Sequence, residues 1–94
     1  MTVTVKFIGA LRHASNVEKL ALTCSEQISV KEMIDEVSKD LPELQRSLLD
    51  SQSEEPRPNA LILVNGREIS ALNGLETRLN DGDEVVLVPV VHGG

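Results

Sequence analysis

The stretch NDGDEVVLVPVVHGG, residues 80–94, decides the reading of this chain. Asn80, Asp81 and Gly82 spell a turn, because Asn, Asp and Gly accept the backbone angles a reversal needs. From Glu84 to Val90 the stretch is dominated by valine and leucine, which spells a strand. Both parities of that strand are apolar: Val86, Val88 and Val90 on one, Val85 and Leu87 on the other. Such a strand is either buried on both faces or leaves an apolar surface open to a partner. Pro89 has no N–H to offer a neighbouring strand, so pairing is expected to weaken there. Beyond it stand Val90, Val91, His92, Gly93 and Gly94.

Glycine lets backbone lie where any side chain would clash. A slender arm ending in two glycines can thread a narrow channel and present a carboxylate inside it. A carboxylate is a poor electrophile and must first be activated, for instance as an acyl adenylate. Two glycines close a chain by chance in roughly 0.5% of cases at average usage. The ending therefore suggests a protein whose own carboxyl group reacts.

Upstream, the apolar run Leu61, Ile62, Leu63 and Val64 meets Asn65–Gly66 and then a second short strand to Ile69. Asn-Gly between apolar stretches is the strongest short hairpin signal, since a type I′ turn needs positive φ twice. Leu61 and Leu63 join Val86, Val88 and Val90 as the candidate partner-binding surface. A short helical turn is expected over residues 75–79, and an irregular loop over 51–59, SQSEEPRPN, with its two prolines.

The first half reads as two strands and two helices. Val3, Val5 and Phe7 alternate with Thr2, Thr4 and Lys6, a half-buried strand ended by Gly9. Leu20, Leu22 and Cys24 share one parity over residues 17–24, a second strand. His13 is expected to be a loop residue without a functional role. Ser29 and Glu32 form a capping box, and Val30, Met33, Ile34, Val37 and Leu41 follow helical spacing. Asp40 and Glu43 repeat the capping pattern around Pro42, and Leu44 and Leu48 continue a shorter helix. The element pattern is α+β: a mixed sheet with one main helix packed across it and a second short helix.

Composition bounds the function. The 94 residues make one small domain, able to bury about 60–65% of its unfolded surface. The net charge of −6 and the single aromatic, Phe7, argue against nucleic acid, which needs clustered cations and stacking platforms. No apolar run approaches a membrane span, and the opening alternation is not a signal peptide. Cys24 is the only cysteine, which excludes an internal disulfide or a cysteine metal cluster and fits a cytoplasmic location. Asp81, Asp83 and Glu84 cluster, but as a turn capping a strand rather than as a metal site. No triad, paired acids or metal spacing appears, so catalysis by the chain itself is not expected.

Taken together, LVNGREI and GLETRLNDGDEVVLVPVVHGG resemble the MoaD and ThiS group of ubiquitin-like sulfur carriers and the small archaeal modifier proteins. The resemblance spans nearly the whole chain. It implies a ubiquitin-like β-grasp fold over residues 1–91, with the first and last strands parallel at the sheet centre, followed by a flexible diglycine tail at 92–94. It implies that an E1-like enzyme adenylates Gly94 using ATP and Mg²⁺, with Gly93 needed for passage and no cofactor bound to the chain. The activated carboxyl would become a thiocarboxylate, for sulfur delivery to molybdopterin or tRNA, or an isopeptide with target lysines. The partners implied are the E1-like enzyme and acceptor proteins or a molybdopterin synthase large subunit, with the free protein a monomer. His92 stands where carriers of this group often have a small residue: an exposed tail residue, or a contact to the enzyme or target. The alternative function is a β-grasp protein-binding module with a passive tail.

Overall fold

The computed structural model describes residues 1–39, 41–48 and 60–89. The elements are β1 (Thr2–Phe7), α1 (Ala10–Ser15), β2 (Lys19–Thr23), α2 (Val30–Ser38), α3 (Pro42–Leu48), β3 (Ala60–Val64), β4 (Arg67–Glu68) and β5 (Glu84–Pro89). Single 3₁₀ turns, Ile69–Ala71 and Gly74–Glu76, lie between β4 and β5. The expected loop at 51–59 and the Asp40 half of the second capping pattern fall outside the described residues.

The five strands form one sheet in the order β2-β1-β5-β3-β4. β1 and β5 are parallel, with Lys6 opposite Val86 and Phe7 opposite Leu87; the other pairs are antiparallel. The first and last strands are thus adjacent near the sheet centre, as the resemblance implies. Parallel neighbours cannot be joined by a tight hairpin, so the long crossover carrying the helices is a geometric necessity.

Strand alternation assigns the faces. Val3, Val5 and Phe7 of β1, Ile62 and Val64 of β3, and Val85 and Leu87 of β5 are buried. α2 lies over them with Val30, Met33, Ile34 and Val37 buried in the same core. Its entry is the expected capping box: Ser29 Oγ accepts the Glu32 N–H at 3.1 Å, and Glu32 Oε1 accepts the Ser29 N–H at 3.1 Å. A cap of this kind is worth about 1 kcal/mol. α2 stops at Ser38, short of Leu41, whose N–H donates to Ser38 O at 2.9 Å; before Pro42, Leu41 is itself disfavoured in helical geometry. Leu44 and Leu48 of α3 are fully buried, and α3 packs against α1 and α2. It therefore thickens the helical layer and does not cover the second face of the sheet.

Two local expectations are corrected. Residues 10–15 are helical, so His13 is an exposed helix residue rather than a loop residue. The helix has six residues and no side-chain cap. It is closed by Asn16 at φ 65°, whose N–H donates to Arg12 O at 2.8 Å. So short a helix is held by packing, here through Leu11, rather than by propensity. The helical turn expected at 75–79 is the 3₁₀ turn Gly74–Glu76. Leu79 beyond it is fully buried, its N–H donating to Ile28 O at 2.8 Å. No helix among the described residues is long and apolar enough to cross a membrane.

Candidate functional site

With Val85 and Leu87 turned into the core, Val86 and Val88 point to the opposite face. The same alternation sends Leu61 and Leu63 of β3 there. Antiparallel register sets Leu61 opposite Val88 and Leu63 opposite Val86, so the four make a compact apolar block across the two strands. Leu61 is 39% exposed; the other three are half-buried. The apolar strands identified in the sequence therefore leave this face open among the described residues.

Charges border the block. Lys6 lies opposite Val86 in the parallel register, and its Nζ is 3.1 Å from a Glu84 carboxylate oxygen. Glu68 lies opposite Leu63 on the other side. An apolar centre with a polar rim is the usual anatomy of a protein-binding patch. Sequence reading missed this rim. The signal was there, since Lys6 shares its parity with Thr4 on the non-core side of β1.

β5 reaches Pro89, which still stands in register opposite Ala60, so the strand holds through the proline. The Pro89 ring lies against Gly9. A Cβ at Gly9 would come within 3.2 Å of Pro89 Cγ, and Gly9 has φ 58°. Only glycine suits a position that is both left-handed and this close to a neighbour. Val90, His92, Gly93 and Gly94 lie outside the described residues. What is defined is the strand that precedes them: β5 lies in the sheet between β1 and β3 and is described as far as Pro89.

The acidic turn before β5 is structural. Asp81 Oδ1 accepts the Thr2 N–H at 2.8 Å, and Asp83 Oδ2 accepts the Asn80 N–H at 2.7 Å. Gly82 N–H donates to Thr2 O at 2.9 Å, so the turn ties the start of β5 to the start of β1. Among the described residues no group of three His, Cys, Asp or Glu side chains converges to hold a metal. Cys24 is half-buried at the end of β2.

A mixed sheet with parallel central strands, a helix across one face and an apolar patch on the other defines a ubiquitin-like β-grasp protein. The ThiS family model matches residues 5–94, and the chain belongs to that family, among the ubiquitin-like modifiers and sulfur carriers. It is 32% identical over 97 residues to ubiquitin-related modifier 1 of Schizosaccharomyces pombe, with 100% of both chains covered. The solution structure of small archaeal modifier protein 1 from Methanosarcina acetivorans matches with TM-score 0.80 at 33% identity, covering 99% of this chain and 96% of that one. A chain in the Amycolatopsis orientalis BexX/CysO complex matches with TM-score 0.74 at 28% identity, covering 98% and 99%.

Proposed function

We propose that this protein is a carrier whose reactive group is the carboxylate of Gly94. The observation that carries the reading is the extent of the match. The family model runs through residue 94, and the fission-yeast relative aligns over the whole of both chains, so the diglycine belongs to the matched region. In this reading an E1-like enzyme grips the domain by Leu61, Leu63, Val86 and Val88, with Val90 extending the same parity toward the tail. The charged rim at Lys6 and Glu68 sets the register of docking.

The enzyme supplies ATP and Mg²⁺; the chain contributes handle and arm. A Gly94 carboxylate oxygen attacks the α-phosphorus of ATP, pyrophosphate leaves, and the acyl adenylate forms. A sulfur donor then displaces AMP and leaves a thiocarboxylate, or a lysine amine displaces AMP and leaves an isopeptide. Membership of the ThiS family supports the first fate, and the modifier names of the relatives support the second. Gly93 keeps the approach slender.

The test is deletion of Gly93 and Gly94 in the native cell. The reading expects both the thiolated form and any higher-mass conjugates to vanish while the domain keeps its circular dichroism spectrum. A binding module with a passive tail would instead function unchanged.

A further inference from the structure

β2 is an edge of the sheet, paired with β1 on one side and with nothing among the described residues on the other. The phase of its pairing shows which groups face outward. Phe7 N–H donates to Glu18 O at 2.9 Å. Met1 and Cys24 exchange two bonds, at 2.9 and 2.8 Å. In an antiparallel ladder, residues that bond the neighbour alternate with residues whose N–H and C=O point away from it. Glu18, Leu20, Leu22 and Cys24 therefore bond β1, while Lys19, Ala21 and Thr23 direct both backbone groups outward. These outward groups recur about every 6.8 Å. The three side chains beside them are exposed. An unpaired row of this kind is a template for one more strand.

Opposite charges mark the two ends of the row. Lys19 is exposed at its start and has no ion-pair partner among the described residues, whereas neighbouring Lys6 is held by Glu84. Past its end, Glu26 is exposed and likewise without an ion-pair partner among them. Glu26 helps line a groove of about 390 Å³ between the end of β2 and α2, together with Cys24, Ile28, Glu32 and Glu36. Glu32 is engaged by the Ser29 N–H and lies 3.7 Å from Arg78, and Glu36 pairs with Lys39 at 2.9 Å, whereas Glu26 has no ion-pair partner among the described residues.

We infer that the outer edge of β2 docks an extended segment of a partner protein. The segment adds antiparallel to β2, with basic residues at its N-terminal end against Glu26 and acidic residues at its C-terminal end against Lys19. Antiparallel addition follows the more stable ladder. A second copy of this chain is the poorer occupant, because each copy carries a net charge of −6. This edge is separate from the apolar block on β3 and β5, and the inference stands whether or not Gly94 is the reactive group.

The experiment titrates the full-length ¹⁵N-labelled protein with a blocked synthetic peptide: two arginines, then alternating valine and threonine, then two glutamates. Saturable amide shifts are expected at Lys19, Ala21 and Thr23, with slowed hydrogen exchange there and no movement at Leu61, Leu63, Val86 or Val88. The peptide with its charged ends exchanged should bind about fivefold more weakly. Ala21→Pro removes the central outward N–H at an edge position where proline is tolerated, and should abolish the shifts. Should that variant fail to fold, exposed Glu26→Lys gives an independent reading: weaker binding of the first peptide and tighter binding of the exchanged one. Absence of saturable shifts at the three amides, or equal affinity for the two peptides, would overturn the inference. So would a concentration-dependent dimer of the free protein that protects the same amides.

Discussion

Asn65 and Glu84 are joined by two hydrogen bonds. The Asn65 side-chain Oδ1 accepts the Glu84 N–H at 2.9 Å, and the Asn65 N–H donates to Glu84 O at 2.8 Å. Asn65 Nδ2 also donates to Asp83 Oδ1 at 2.9 Å, so one turn residue clamps the beginning of the last strand. The clamp holds the hairpin turn of β3 and β4 against the start of β5.

Replacing Asn65 separates its two jobs. Asn65 has φ 51°, and alanine would face the left-handed strain as well as lose both side-chain bonds. Asn65→Ala is expected to cost about 2 kcal/mol and lower the melting temperature by roughly 10 °C. Asn65→Gly keeps the turn and loses only the bonds, about 1 kcal/mol. Thermal unfolding of the two variants checks the order; equal losses would mean that the turn conformation matters little.

The apolar block should be dispensable for folding and required for activation. Leu61 is already 39% exposed and Val88 is half-buried. Leu61→Lys and Val88→Lys are expected to change stability by less than about 1 kcal/mol. Placing a charge in the centre of a docking surface should lower kcat/KM of the activating enzyme for this chain at least about tenfold. Steady-state pyrophosphate release measures that value. Unchanged kinetics in both variants would move the docking surface elsewhere.

Glu68 offers a pH test. The Ser70 hydroxyl and then the Ser70 N–H bond its carboxylate and hold its pKa below the usual glutamate range. A depressed folded-state pKa means that the stabilisation is present above the unfolded pKa and is lost as pH falls through the folded one. Carboxyl NMR titration of the native protein should therefore show Glu68 titrating lower than the same residue in the unfolded chain. Ser70→Ala should move the midpoint back up; an unmoved midpoint would assign the shift to another cause.

Much of this architecture is written locally. Asn65–Gly66 announces its turn because few residues other than Asn and Gly accept positive φ in succession, and both have it, 51° and 84°. Ser29 and Glu32 announce α2 because their reciprocal bonds need only three-residue spacing. α1 is not legible: its six residues offer one buried apolar anchor, Leu11, and no cap, and tertiary packing supplies the rest. The parallel pairing of β1 with β5 joins residues about eighty positions apart, and no local pattern encodes it; resemblance alone supplied it. The block of Leu61, Leu63, Val86 and Val88 was legible as excess apolarity on both parities. The Lys6 side of its border was legible from the parity of β1, whereas Glu68 joins it only through the register of β3 with β4.

The central claim is that Gly94 is where the chemistry happens, and intact mass spectrometry addresses it most directly. The full-length protein is incubated with its activating enzyme, ATP, Mg²⁺ and a sulfide source. The account predicts a gain equal to sulfur replacing one oxygen, located at Gly94 by fragmentation and absent without ATP. A mass unchanged under conditions that charge a related carrier in parallel, or a modification mapped to any other residue, would contradict it.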